Sequence, residues 1–565
     1  MTSNLAPFAI FYAGALAIFL TQGRLRQAIV IAVPILGALN LFTLDQSMVI
    51  DGRVLDLTLS VFKADRMSML FGYLFHLAAL IGGIYSLNVK KSGELAAGML
   101  YAGSALGAVF AGDMITLFVF WELLAVTSVF LILARGTTRA QSAAMRYMLI
   151  QVLSGVILLT GILLRYAATG SIAFGHIGLD GSLASLLIFL AFGIKAGFPL
   201  LHNWLTDSYP EATAGGTVYL SAFTTKVAIY ALARAFAGTE ILVDIGAVMT
   251  MFPIFYAVIE NDLRRVLAYS MINQLGFMVV GIGLGTDLAM NGAISHAFND
   301  VIFKGLLFMS MGAVLHRTGK INGSDLGGLY KSMPKTAFFC IIGAASISAF
   351  PLFSGFVSKS MVMVAALEGG HPWVWLALLF ASAGVFHHAG IKIPFFAFFA
   401  HDSGIRCKEA PTNMLIAMGI SAAICVFNGV YPWALYSLLP FPVDYAPYTM
   451  THVLTQTQLL FFSALAFTLL KIFHVYPPEL PGINIDSDWS YRWLLPRLAR
   501  NFVHTFAPLD RGFRQMFRNS VTVLVAVVNR HHGPQGVLAR ATPASSMVLW
   551  VLVLLIAYMG VYFFT

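Results

Sequence analysis

The sequence predicts an all-α polytopic membrane protein of about fourteen or fifteen transmembrane helices, counting ~20 apolar residues per span. Three observations carry that expectation. The chain has 565 residues, of which 59% are hydrophobic and only 10% charged, with a mean hydropathy of +0.81. Soluble domains carry roughly 25% charged residues. The apolar residues are gathered into repeated runs long enough to cross a bilayer. Lastly, two of those runs hold a lysine beside glycine and proline: Phe192-Gly193-Ile194-Lys195-Ala196-Gly197-Phe198-Pro199 and Ala389-Gly390-Ile391-Lys392-Ile393-Pro394. A lysine in hydrocarbon costs about 2.5–3.5 kcal/mol and so marks an ion or proton path. Paired interrupted spans are the sequence pointer to a transporter's working site.

In chain order, residues 1–90 carry spans at 4–21, 27–46 and 67–87. The first has no basic n-region and no small-residue cleavage pattern, so it reads as a retained anchor. Between the second and third, residues 47–57 carry Asp51-Gly52 among apolar residues, which predicts a hairpin turning at Asp-Gly outside the membrane. A first unit, 91–238, contains spans at 94–112, 114–134, 142–166, 183–206 and 212–237. A second, 239–400, contains 241–259, 264–285, 288–315, 334–365 and 372–400, with 334–365 either one broken span or two. The two Gly-Ile-Lys segments lie 197 residues apart, which reads as two five-helix repeats. Residues 401–475 add spans at 411–437 and 452–475.

The tail, 476–565, changes character. Asp486, Asp488, Arg492, Arg497, Arg500, Arg511, Arg514, Arg518, Arg530 and Arg540 alternate with Leu, Val, Phe and Trp. This predicts a basic amphipathic surface segment broken by Pro496, Pro508 and Pro534, then a final span at 546–564. A plain connector is the alternative. The net charge of +9 excludes no membrane reading and calls for no nucleic acid, because the basic residues cluster at span ends. Arg24, Arg26, Lys90, Lys91, Arg135, Arg139, Arg264 and Arg265 are of that kind, though they do not alternate cleanly enough to fix an orientation. Cys340, Cys407 and Cys425 show no metal spacing and read as small core residues.

The intramembrane charges are the candidate machinery. Glu122 lies mid-span in Phe120-Trp121-Glu122-Leu123-Leu124, too deep for a cap. Lys195 precedes the Gly-Phe-Pro break, and with Glu122 it is a candidate switchable pair. Lys226 lies four turns beyond Glu211, itself read as a first-turn carboxylate favoured by the helix dipole. His296, Asp300 and Lys304 recur every four residues and so share one helical face, either as a proton relay or with Asp300–Lys304 as an intrahelical ion pair. His388 and Lys392 repeat the i,i+4 spacing at the second break, with Lys392 as final acceptor or exit. Asp207 and His202 belong to the end of the first broken span. Lys359 follows a third Pro/Gly interruption at 350–356 and is a candidate cavity-lining residue.

Together these residues resemble a family. Phe120-Trp121-Glu122-Leu123, Lys195-Ala196-Gly197-Phe198-Pro199-Leu200-Leu201-His202-Asn203-Trp204-Leu205, Leu263-Arg264-Arg265-Val266-Leu267-Ala268-Tyr269-Ser270-Met271-Ile272-Asn273-Gln274-Leu275-Gly276 and Phe303-Lys304-Gly305-Leu306-Leu307-Phe308 are similar to the proton-pumping antiporter-like subunits of respiratory complex I and Mrp-type antiporters. The likeness covers roughly residues 65–400. Gly390-Ile391-Lys392-Ile393-Pro394 and Phe441-Pro442-Val443-Asp444-Tyr445 are closer to the D-type subunit of the Mrp multisubunit cation/proton antiporter. The resemblance implies inverted five-helix repeats with discontinuous helices, Glu122 and Lys195 as a coupling pair, Lys226 as a bridging lysine, and Lys392 as the terminal carrier. It also implies a subunit with no redox centre or cofactor, working among other membrane subunits in the inner (cell) membrane on protons and monovalent cations. Relatives often carry histidine at the position of Asp300, so an acid there retunes the relay or offers a cation ligand. The tail is similar to the lateral helix and anchor of the largest complex I antiporter-like subunit, except that its prolines argue against a continuous rod.

The leading expectation is therefore a proton-translocating subunit of a multisubunit Na⁺(K⁺)/H⁺ antiporter. The alternatives are the same pump in a complex I or membrane hydrogenase type redox complex, and an assembly partner for an inorganic-carbon enzyme.

Overall fold

Helix starts follow the capping residues. In the computed structural model, which describes residues 5–45, 47–54, 57–480, 482, 484–533, 536 and 544–564, α1 (Pro7–Leu20), α2 (Gly23–Thr43), α3 (Arg66–Tyr85) and α4 (Ser92–Val109) form the entry bundle. Asp65 begins α3 with a capping box, accepting from the Ser68 backbone while Ser68 accepts from Asp65 N–H. Between α2 and α3, β1 (Val49–Val54) and β2 (Leu57–Lys63) pair antiparallel. The hairpin is real but its turn is not at Asp-Gly. Asp51 and Gly52 lie inside β1 opposite Ser60 and Leu59, just after a bulge at Ile50/Asp51, and the connection falls at residues 55–56, outside the described residues.

Asp113 caps α5 (Met114–Leu133) and Thr137 caps α6 (Thr138–Thr169). After α7 (Leu183–Ala196) and the short α8 (Asn203–Ser208) come α9 (Ala214–Ala222) and α10 (Thr224–Ala235), separated at Phe223. Then follow α11 (Ile241–Ile259), α12 (Leu263–Leu284), α13 (Asp287–Thr318), α14 (Pro334–Ile347) and α15 (Ser354–Glu368). A pseudo-repeat is visible in the joints. Asp113 caps α5 and forms a β-bridge with Ala173, beyond the 32-residue α6; Asp262 caps α12 and bridges Asn322, beyond the 32-residue α13.

The interrupted spans repeat as well. Gly197 (φ 78°) closes α7 and Leu200 is also left-handed (φ 69°); Ala349 (φ 57°) and Leu352 (φ 74°) do the same after α14. Phe198 N–H donates to Gly193 O and Phe350 N–H to Ala345 O, each at 3.0 Å. Both turns read Phe-Pro-Leu in the sequence. The counterpart of the first break is therefore at 349–353, not at Gly390-Ile391-Lys392. There, α16 (Pro372–Val385) runs on through a π-helical turn at 386–391, the single α turn α17 (Lys392–Pro394) and a second π turn at 395–399. The helix is widened at that point, not broken. Each extra residue per turn also takes His388 and Lys392 off the common α-helical face that i,i+4 spacing predicts.

The bundle closes with α18 (Thr412–Val430), α19 (Trp433–Tyr436) and α20 (Met450–Ile472). Among the described residues, eleven helices are long and apolar enough to cross a membrane, and α1, α7 and α14 are shorter apolar helices. This is an all-α polytopic membrane protein. Its centre is set by burial: the apolar window of α12 is 100% buried and that of α13 94%, against 28% for α2 and 17% for α20.

The chain divides into two compact units, Met1–Asn484 and Ile485–Thr565. The second holds α21 (Leu495–His532) and α22 (Ala544–Phe564). The expected break at Pro508 is absent. Pro496 sits in the first turn, where its missing N–H has no partner to lose, and Pro508 is carried inside one 38-residue helix. Pro534 and Arg540 lie outside the described residues.

Candidate functional site

The site is built where helices stop. Ending a helix inside a membrane leaves carbonyls without intrahelical donors, and unsatisfied groups there cost several kcal/mol. Lysines take up that role. Lys226 Nζ donates to Ser221 O (3.1 Å), just before the interruption at Phe223, and Tyr101 Oη receives the Thr224 N–H on its other side at 3.0 Å. Lys359 Nζ donates to Ile347 O (2.7 Å), the last residue of α14. Lys392 Nζ donates to Val258 O (2.6 Å) and Glu260 O (2.7 Å) at the end of α11, where the dipole favours a cation. All three lysines are buried.

Lys226 stands two residues into α10, at the end of a helix that disfavours positive charge. Its compensation is Asp300 on α13: Nζ and Oδ2 are 2.6 Å apart and both side chains are 0% exposed. The expected face of His296, Asp300 and Lys304 is therefore real, but its internal ion pair is not, because Asp300 turns to Lys226. Lys304 Nζ instead donates to Ser270 Oγ on α12 at 2.8 Å. His296 is held at both ring nitrogens, Nδ1 to Ser358 Oγ (3.0 Å) and Nε2 to Gln274 Oε1 (3.2 Å). Those contacts join α12, α13 and α15 around one buried polar cluster.

Glu122 and Lys195 come together less directly than the sequence implies. Lys195 Nζ donates to Trp121 O at 2.5 Å and lies 4.4 Å from the centre of the Trp121 ring, a cation–π contact. Among the described residues it forms no ion pair with Glu122. Glu122 Oε1 is buried without a hydrogen-bond partner, packed where Gly155 of α6 has no side chain. A carbon at Gly155 would collide with that oxygen. His388 is fully buried, its imidazole beside the Gly384 backbone one turn earlier.

The residues around the first break are structural in a different way. Glu211 is not the first-turn carboxylate of the next span. It ends a 3₁₀ turn ahead of α9 and is ion-paired to Arg139 (2.5 Å) and Arg135 (3.5 Å). Asp207 takes Arg146 in a two-pronged contact at 2.6 and 3.1 Å. Arg264 of α12 is fully buried and donates to the carbonyls of Pro210, Ala212 and Thr213 and to Thr217 Oγ1. The second half of the bundle thus fastens the segment that leads into α9. His202 packs against Phe252, with ring centres 4.7 Å apart and the planes tilted by 53°.

Sequence reasoning missed Gln274, Ser270, Ser358, Gly155 and the central place of Lys359. The Phe-Pro-Leu repeat at 198–200 and 350–352 was the signal that relates Lys359 to a break. The polar partners carry no such signal, since serine and glutamine in an apolar run are common.

Residues 111–386 match the family model described as NADH:quinone oxidoreductase/Mrp antiporter, TM. Over 419 residues the chain is 28% identical to hydrogenase-4 component B of Escherichia coli (strain K12), covering 66% of this chain and 62% of that protein. It is 33% identical over 278 residues to the D-type subunit of the Na(+)/H(+) antiporter of Alkalihalophilus pseudofirmus (strain ATCC BAA-2126 / JCM 17055 / OF4), covering 46% of this chain and 56% of the relative. The chain thus spans less than two thirds of either relative. A chain in the structure of the Mrp complex from Dietzia sp. DQ12-45-1b has the same fold, with a TM-score of 0.67 at 21% identity over 80% of this chain and 97% of that one.

Proposed function

We propose, from the match of residues 111–386 to the NADH:quinone oxidoreductase/Mrp antiporter transmembrane family, that the chain is the proton-translocating subunit of a multisubunit Na⁺(K⁺)/H⁺ antiporter. The observation that carries the reading is the Lys226–Asp300 pair, two opposite charges without solvent exposure joining α10 to α13. A buried pair is weak evidence for stability, and it earns its place as a switch. Protons pass among Glu122, Lys195, Lys226, His296, Asp300, Lys304, Lys359, His388 and Lys392, each step changing the charge that holds its neighbour. Lys359 joins the set because it is buried at the second Phe-Pro-Leu turn. The protein acts as a transporter subunit without cofactor chemistry, in the inner cell membrane, beside other membrane subunits.

The test is exchange in vesicles carrying the assembled complex. Glu122→Gln and Lys195→Ala abolish proton transport while leaving assembly intact; wild-type rates in both defeat the assignment. Asp300→Asn changes pH dependence and cation selectivity. The likeness to hydrogenase-4 component B supports a second reading, a proton pump driven by a redox complex. Purification of the intact assembly separates the two, because co-eluting flavin or iron–sulfur subunits sink the antiporter reading.

A further inference from the structure

Lys392 is held by more than helix ends. After α20 the backbone turns at His474 (φ 56°), and Tyr476 is buried against Phe396, Phe467 and His387. Three residues later, Glu479 Oε1 reaches to 2.9 Å from Lys392 Nζ, with the carboxylate side chain 6% exposed and the lysine 0%. Residues 477, 478 and 480 on either side are exposed. The glutamate therefore stands between a fully buried ammonium and the surface. Apart from the Lys392 contact, its oxygens have no hydrogen-bond partner among the described residues. Protonating the carboxylate therefore breaks only that ion pair.

Other charges face it from each packed element. Glu260 follows α11, and its carboxylate accepts from the Asn261 and Asp262 backbone and from Asn484 Nδ2. Arg265 of α12 lies 3.9 Å from the Glu260 carboxylate. Lys471 of α20 lies over the rings of Phe395, Phe396 and Tyr476. His387 lines the same aromatic wall. Burial pushes the Glu479 carboxyl above its ordinary range, and the Lys392 ammonium beside it opposes that shift.

We propose that Glu479 is the proton-exchange gate of Lys392: the segment after α20 supplies a carboxylate that holds the ammonium when ionised and releases it when protonated. No bond to carbon changes. A proton from the aqueous side adds to Glu479, Lys392 loses its counter-charge, and the lysine proton is then free to leave toward the bundle or the surface. This rests on the antiporter reading and assigns one of its ends.

The experiment measures sodium-driven proton exchange in everted vesicles carrying the whole complex, across the neutral pH range, for E479Q, E479D, K392M and the K392M/E479Q double variant. Glu122→Gln is run alongside. E479Q is expected to assemble, to lose exchange on the order of a hundredfold, and to lose the acid limb of the pH profile, with E479D restoring both. Wild-type rate and profile in E479Q overturn the gate. If E122Q abolishes exchange in that case, the antiporter reading stands without the gate; if E122Q is also active, that reading fails too. Should E479Q fail to assemble, the double variant carries the test, since it leaves no buried lysine unpaired. An assembled double variant that keeps the wild-type pH limb overturns the proposal, as does one that loses exchange beyond K392M alone; equal residual exchange and profile in K392M and the double variant support it, because the gate acts only through Lys392.

Discussion

Lys226 and Asp300 are legible in the sequence as intramembrane charges, yet their partnership is not. Helical spacing relates residues on one helix, and this pair joins helices 74 residues apart in the chain. Removing one member leaves the other buried and uncompensated, which costs about 3–5 kcal/mol, whereas two apolar replacements are close to neutral. Asp300→Asn should accordingly lower the melting temperature of the detergent-solubilised protein, and Lys226→Met with Asp300→Leu should recover most of the loss while abolishing transport. Gly155 gives a finer probe. A methyl at Gly155→Ala meets Glu122 Oε1 and must displace it, so proton flux should fall sharply while the protein still assembles. Unchanged flux in that variant would show that the position of the Glu122 carboxylate does not matter.

At the scale of elements, the length of the apolar runs places nearly every span, because runs of ~20 apolar residues have few alternatives. What spacing leaves open is how a helix is interrupted. Gly-Ile-Lys occurs twice, but it ends a helix at Lys195 and lies in a π-widened one at Lys392. Phe-Pro-Leu occurs twice and makes the same turn twice. The left-handed leucines in those turns are largely exposed, Leu200 at 77% and Leu352 at 57%. Their side chains give little burial to offset the steric cost of about 1–2 kcal/mol for αL. Leu200→Gly and Leu352→Gly should therefore change stability by less than about 1 kcal/mol, while Leu200→Val should cost more than either, read as shifts in melting temperature. Pro508 teaches the converse lesson. Its local penalty of about 3 kcal/mol is outweighed in a helix of 38 residues.

For the molecule as a whole, Arg264 ties the two halves through the backbone of residues 210–213. Arg264→Ala strips donors from several buried carbonyls at about 1–3 kcal/mol each, and Arg264→Lys should rescue poorly, because a single ammonium cannot span three carbonyls as a planar fork does. Thermal denaturation of both variants measures this. The Arg-Arg motif was visible in the sequence, but its reading as a span-end charge put Arg264 at the surface; full burial, with both terminal guanidinium nitrogens donating to buried oxygens, is a tertiary fact. The Lys226–Asp300 pair has one more consequence. While closed, it is a neutral dipole a few ångströms long, and the electric field across the membrane does almost no work on it. Once either partner changes protonation, a bare elementary charge remains, worth about 2.3 kcal/mol per 100 mV over a full crossing. The pair is thus blind to voltage between turnovers and senses it only during one.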